Sequence, residues 1–256
     1  MISEHAVIDP SAKIASNVSI DPFSIIGPHV EIGENTWVGP HVVIQGPTRI
    51  GRDNKFFQFS SIGEICQDKK YAGEFTRLEI GVRNVFRENC TIHRGTRQGG
   101  GVTLIGDDNL FMVSTHVAHD CEIANHVVFS NGASIAGHVK VNNYANLGGF
   151  VGVHQFCAIG AFSFSAGGTI IYKDVLPFTK IAGYPAKSFG LNTIGLERED
   201  FTAETIEWLR KAYRIIFRSS GTVKDALLAL KPLIEFCQDV QLLYDFLEQS
   251  SRGIVR

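Results

Sequence analysis

Apolar residues return at every sixth position from the start of the chain: Ile2, Ile8, Ile14, Ile20, Ile26, Ile32, Val38, Ile44, Ile50, Phe56 and Ile62. Four places after most of them stands a small or β-branched residue, as at Ala6, Ala12, Val18, Ser24, Val30, Thr36, Val42 and Thr48. Glycine often follows directly, as at Gly27, Gly33, Gly39, Gly51 and Gly63. A period of six cannot mark a helix face, because 3.6 residues per turn would smear the stripe around the cylinder. It equals three strand periods, so the apolar residue and the small one four later point to the same side of an extended chain. The pattern predicts a short strand and a tight turn every six residues, stacked into a flat-sided coil.

Two stretches interrupt this rhythm. Residues 64–79 (EICQDKKYAGEFTRLE) skip two apolar slots, and the frame resumes unshifted at Ile80, Phe86 and Ile92. Residues 95–104 (GTRQGGGVTL) add one residue. The frame then runs through Ile105, Phe111, Val117, Ile123, Phe129, Ile135, Val141, Leu147, Val153 and Ile159; Ser165 breaks it and Ile171 echoes it. Insertions in a repeat array map to loops, often on the binding face. After Pro185 the pattern turns helical. Ile206, Leu209, Tyr213 and Ile216 predict an amphipathic helix capped by Thr202. Thr222 with Asp225 predicts a capping box opening a second helix, which Pro232 should kink or end. Asp239 to Gln249 predicts a third, closed by Gly253. The expected organisation is a β coil over residues 1–189 and a helical domain over 190–256.

Composition agrees with a turn-rich β fold: glycine is plentiful (26), methionine (2) and tryptophan (2) scarce. A net charge of −2 gives no global field to recruit nucleic acid or a membrane. The polar N-terminus lacks a basic-then-apolar leader, and no run nears the ~18 apolar residues of a membrane span. A soluble, cytoplasmic protein without stable membrane insertion is expected. None of the five cysteines forms a C-x-x-C pair, and Cys90, Cys121 and Cys157 occupy the inward small position, so they are expected to be buried, reduced thiols.

The chemistry concentrates between Thr115 and Cys157. Residues 18 apart should stack on neighbouring coils, about 4.8 Å apart. His119 therefore lies below Gly137 and Gln155, with His138 one place after that column, His154 one before it and His116 three residues earlier on the first coil. Such a cluster suits two chemistries. Three neutral imidazoles can hold zinc with an open water site, or one imidazole can act as general base while the others bind a polar substrate. His119-Asp120 suggests the second, since a carboxylate fixes the tautomer and stabilises the imidazolium. Gly137 would let a substrate approach the backbone, whose N–H could serve an oxyanion. No G-x-S-x-G or activated cysteine appears, so direct attack by a substrate hydroxyl fits better than a covalent acyl-enzyme.

The repeat resembles the hexapeptide acyltransferases, which implies an all-β left-handed parallel β-helix with one triangular coil per 18 residues, followed here by a C-terminal α-helical domain. More specifically, GEICQDKKYAGE (63–74), IHRGT (92–96), AHDC (118–121), AGHV (136–139), VHQFC (153–157), YRIIFRSSGT (213–222) and the ending SRGIVR resemble the UDP-N-acetylglucosamine O-acyltransferases of lipid A biosynthesis across essentially the whole chain. The resemblance implies transfer of a 3-hydroxyacyl group from acyl carrier protein to the sugar 3-hydroxyl, without a cofactor or a metal, in a homotrimer with sites between subunits. It implies His119 as general base, Asp120 as its orienting carboxylate and Gly137 as oxyanion donor. His116, His138 and His154 correspond to sugar-binding residues, Asp68 and Lys70 to residues reaching in from a neighbouring subunit, and Gln155 and Asn192 to nucleotide-side contacts. Gly167 falls where the family sets acyl-chain length, and a glycine there implies a long chain. Two departures stand out. Ile194 replaces an acidic residue, and Arg198-Glu199 replaces an arginine pair whose second member resembles a phosphate or carrier contact, so Arg198 is expected to bind substrate while nucleotide affinity or carrier docking is built differently. Arg210, Arg214 and Arg218, with Lys211, form a basic helical face that is either simply solvated or docks the acidic carrier. A lipid A N-acyltransferase, a zinc carbonic anhydrase on the same fold and a purely structural β-helix are the competing readings.

Overall fold

The computed structural model describes residues 1–218 and 221–256. The six-residue rhythm becomes strands of mostly two to four residues arranged in three sheets. The first sheet holds nine strands from Val7–Ile8 to Ile170–Ile171, and the second eight from Lys13–Ile14 to Ala158–Ile159. The third holds ten from Ser19–Ile20 to Lys187–Leu191. From Val7–Ile8 to Gly152–Val153 each strand pairs in parallel with the one three later in sequence, so Ile14 meets Ile32 and His116 meets Ser134. The coils wind as a left-handed parallel β-helix, against the right-handed preference of ordinary crossovers.

Both insertions preserve register. Ile50 pairs with Ile80 across the first, and Ile80 with Ile105 across the second. The chain loops outward and rejoins the stack on the same inward column. That column is the core. Phe56, Phe86, Phe111 and Phe129 are fully buried and stack ring on ring at 4.8, 4.7 and 5.0 Å between centroids. The small position fills the corners, where Val18, Val30, Val42 and the three inward cysteines are buried. Burial pushes the Cys121 thiol up to about 12 and that of Cys157 to about 11, so neither offers a thiolate nucleophile. A buried asparagine ladder closes one edge: Asn54 Oδ1 accepts from the Asn84 backbone and side chain at 2.9 and 3.0 Å, and Asn84 Oδ1 accepts from the Asn109 N–H at 2.9 Å.

Four helices follow, one more than the sequence pattern suggests. Helix α1 (Thr193–Arg198) is capped by the Asn192 side chain. Helix α2 (Ala203–Arg218) begins after Thr202, whose hydroxyl accepts from the Thr205 N–H at 3.1 Å. Helix α3 (Val223–Ile234) opens with the Thr222–Asp225 capping box and ends two residues past Pro232. Helix α4 (Val240–Gln249) follows Asp239. Between the coil and α1, Thr179–Ala182 and Lys187–Leu191 pair antiparallel, an element the six-residue rhythm does not announce. The helices form their own core around Leu196, Leu209, Leu230, Val240 and Leu243, joined to the coil through Leu176 and Phe178. The C-terminus returns: Ser250 Oγ donates to Asp174 at 2.7 Å and Val255 rejoins the coil core. Among the described residues, no helix is long and apolar enough to cross a membrane.

Candidate active site

Where the first and second sheets meet, each coil turns a corner. The corner residue takes a left-handed conformation, as at Asp120 (φ 59°) and His138 (φ 61°). Successive corners are tied directly, His138 N–H donating to His119 O and Phe156 N–H to Gly137 O, each at 3.1 Å. The residues placed 18 apart by counting are therefore stacked in fact. They line a cavity of about 1070 Å³ that brings together His116, His119, Gly137, His138, His154 and Gln155. Asp68 and Lys70 line the same cavity from the first insertion of the same chain, so no neighbouring subunit is needed to bring them to His119.

His119 Nδ1 lies 2.7 Å from Asp120 Oδ2. The carboxylate is 1% exposed and fully engaged: Oδ1 accepts the Thr96 N–H at 2.7 Å and Oδ2 the Thr96 hydroxyl at 2.6 Å. An acceptor so placed makes Nδ1 the protonated nitrogen and leaves Nε2 with a free lone pair. That edge of the ring faces Gly137, where a Cβ would lie only 2.7 Å from Nε2. Among the described residues the Gly137 N–H finds no acceptor. His138 meets the His119 ring edge-on, centroids 5.2 Å apart, with its Nε2 3.7 Å from Asp120 Oδ2. His119, Asp120 and His138 could thus present atoms to a cation within 4.8 Å of one another. The shared carboxylate oxygen, however, already accepts two short hydrogen bonds.

Burial disfavours the charged form at three neighbouring imidazoles. His93 has its pKa driven down to about 4 by burial and then by the charge of His116. His116 and His138 are lowered by the same cause, the pull of Asp120 opposing it at His138. Neutral rings are hydrogen-bonding groups, suited to hydroxyls and amides. His116 Nδ1 is bound to the Thr91 hydroxyl at 2.8 Å, which leaves Nε2 for the cavity. His154 Nδ1 is approached by Arg252 Nη2 at 3.3 Å, so the chain's last residues reach the cavity rim. Sequence reasoning missed His93, Thr96, Tyr172 and Arg252. His93 and Thr96 stand in the IHRGT string and Arg252 in the SRGIVR ending, which were the available signals.

Three expected residues lie elsewhere. Asn192 and Arg198 line a separate cavity of about 310 Å³ beside the third sheet, with Ile194 and Glu199. Asn192 spends its side chain on the α1 cap and on the Phe162 carbonyl, to which Nδ2 donates at 3.0 Å. Gly167 occupies the corner between the third and first sheets, where a Cβ would meet Gly149 O at 3.3 Å. On α2, Arg210 pairs with Glu207, Lys211 sits 3.7 Å over the Trp208 ring, and Arg214 is exposed. The Arg218 side chain lies outside the described residues.

A family model described as "Udp N-acetylglucosamine O-acyltransferase; Domain 2" matches residues 174–255. The acyl-[acyl-carrier-protein]--UDP-N-acetylglucosamine O-acyltransferase of Halorhodospira halophila is 49% identical over 255 residues, covering 100% of this chain and 99% of its own. The enzyme of the same name from Aeromonas salmonicida is 54% identical over 212 residues, 83% of this chain and 81% of its own. Among solved structures, LpxA from Acinetobacter baumannii superposes with a TM-score of 0.98 at 48% identity, covering 100% of this chain and 99% of that one.

Proposed function

The chain belongs to the UDP-N-acetylglucosamine O-acyltransferase family, and on that premise we propose that it moves a 3-hydroxyacyl group from acyl carrier protein to the 3-hydroxyl of UDP-N-acetylglucosamine by general-base catalysis. It is an acyl-[acyl-carrier-protein]--UDP-N-acetylglucosamine O-acyltransferase. The finer reading rests on one observation above all: His119 is held at Nδ1 by buried Asp120 while its Nε2 faces a glycine whose N–H is free. With the sugar seated among His116, His138 and His154, Nε2 takes the proton of the attacking hydroxyl. The thioester carbonyl develops an oxyanion against the Gly137 N–H. Asp120 stabilises the imidazolium, which then returns its proton to the departing carrier thiolate. No protein nucleophile is needed.

Surface chemistry favours a homotrimer. Outward positions of the second sheet alternate charge, with Lys13–Glu31 at 2.6 Å and Lys140–Glu122 at 3.0 Å. Outward positions of the first and third sheets are mostly uncharged, with Val7 and Ile25 exposed on the first. Packing first sheet against third would set the Asn192–Arg198 cavity of one chain opposite the His119 cavity of the next, giving both residues their nucleotide-side role. Residues 1–189 would then form the catalytic coil, with Gly167 limiting the acyl chain, and residues 190–256 the helical domain that meets the carrier through its exposed basic side chains.

Incubating the purified protein with UDP-N-acetylglucosamine and a panel of 3-hydroxyacyl carrier proteins, and weighing the products, tests the substrate assignment. His119→Ala should stay folded and lose more than the roughly 10²–10⁴ usually credited to a general base. Near-normal turnover in that variant would sink the mechanism.

A further inference from the structure

The second insertion folds back onto the catalytic carboxylate. Its Thr96 is 1% exposed and caps the 3-10 turn Arg97–Gly99. The Gly99 N–H donates to Thr96 Oγ1 at 3.2 Å, and that hydroxyl donates to Asp120 Oδ2 at 2.6 Å. Oδ2 is the same oxygen that accepts from His119 Nδ1 at 2.7 Å. The Thr96 N–H takes the other carboxylate oxygen, and the Asp120 N–H donates to Thr103 Oγ1 at 2.8 Å. Gly99 leaves no slack, since a Cβ there would sit 2.0 Å from the carboxylate carbon. Thr96 of the insertion and Thr103 of the strand Val102–Ile105 that follows it thus grip Asp120 by its carboxylate and its backbone.

We propose that this loop is a clamp for the base, in which the Thr96 hydroxyl is a positioning residue that fixes Asp120 and tempers the basicity of His119. A carboxylate oxygen that already accepts a short hydrogen bond has less electron density to offer an imidazolium, so the proton it helps to hold is given up more readily. The hydroxyl holds the carboxylate against Nδ1 and eases release of the proton to the leaving group. Other charges around the ring are few: His138 beside it, His116 and His93 held neutral by burial, and Asp68 and Lys70 across the cavity. None of these touches Oδ2 at hydrogen-bonding distance as Thr96 does.

This inference rests on His119 being the base. Thr96→Val keeps the backbone N–H and the shape but removes the hydroxyl. Because the base works when neutral, kcat/KM falls as pH drops through its pKa. Removing the hydroxyl should raise that pKa and move the acid limb up by roughly 0.5–1 unit. We expect kcat to fall about tenfold with KM nearly unchanged, and Thr96→Ser to restore the native profile. If Thr96→Val does not fold, Thr96→Cys, with a weak donor on the same atom, should place the limb between native and the full shift. An acid limb that stays at its native pH in either variant, or a serine that fails to restore it, overturns the proposal while leaving an inactive His119→Ala intact. Normal turnover in His119→Ala would instead remove the base and this inference with it.

Discussion

Gly137→Ala separates the geometry of the site from the stability of the coil. The backbone at Gly137 lies outside the left-handed region, so alanine brings no conformational penalty, unlike a substitution at Gly132 (φ +70°) or Gly168 (φ +70°). The three atoms nearest the added methyl all belong to the catalytic ring: His119 Cε1 at 2.5 Å, Nε2 at 2.7 Å and Nδ1 at 3.0 Å. Ordinary contact begins near 3.4 Å, so the ring must retreat by about 1 Å. It cannot retreat freely, with Nδ1 tied to Asp120 and the His138 ring against it. A misplacement of about 1 Å in a reacting group costs on the order of 100-fold in rate. The methyl also crowds the N–H that would meet the oxyanion. We therefore expect kcat for acyl transfer from 3-hydroxyacyl carrier protein to fall by ~100-fold or more. The melting temperature should stay within about 3 °C of native, the effect of about 1 kcal/mol or less in a domain this size. Gly149→Ala is the control, because its Cβ meets nothing closer than Asn131 O at 3.5 Å; its turnover should be native. A Gly137→Ala enzyme with native kcat, or one whose loss is matched by global unfolding, would refute the placement of the reacting centre between His119 and Gly137.

Three further outcomes follow from the same coordinates. Gly167→Met should shift the preferred donor to shorter acyl chains, read as product masses from a mixed panel; an unchanged preference would remove Gly167 from chain-length control. Asn84→Leu strands the Gly106 carbonyl and the Asn109 N–H inside the coil and takes one of two hydrogen bonds from Asn54 Oδ1, and urea unfolding should show a loss of about 2–4 kcal/mol, a near-zero change contradicting the role given to the ladder. His93 titrates at about 4 in the fold against an ordinary 6.5, so the unfolded chain binds its proton first. Stability should be intact above pH 6.5 and decline as pH falls toward 4, by as much as ~3 kcal/mol. His93→Asn should flatten that part of the pH–stability curve, and an unchanged slope would show that other groups govern it.

The coil was legible because its physics is local and repeated. One inward apolar residue, one inward small residue and one turn per six residues leave a single way to bury the stripe, so even the two insertions could be located by where the frame skipped. What a repeat cannot encode is its own ending. Helix α1 and the antiparallel pair Thr179–Ala182 with Lys187–Leu191 lie where the rhythm has stopped, and each rests on one residue's local chemistry. Asn192 accepts from the Gly195 N–H to start a helix of six residues, too short to leave a periodic signature. Pro232 is expected to kink or end α3, and the helix stops two residues beyond it.

The site was legible to the extent that it is vertical. Residues 18 apart share a column, so His119, Gly137 and Gln155 could be stacked by arithmetic, and His116, His138 and His154 placed around them. The counting fails for contacts that run sideways across an insertion. Thr96 lies 24 residues before Asp120, not 18, and Arg252 lies 98 after His154. Neither offset belongs to the repeat, and only the folded chain brings them in. The same distinction bears on division of labour. Groups that touch the reacting atoms sit on the rigid corners of the coil, where register fixes them to their neighbours above and below. Groups that tune them come from the loop and the tail, where a change of length or sequence leaves the stack undisturbed. Variation in pH optimum among relatives should therefore map to residues 64–79, 95–104 and 250–256 rather than to the column itself. Exchanging residues 95–101 with a relative's, which leaves the strand Val102–Ile105 in place, should move the acid limb of the pH profile without moving the melting temperature.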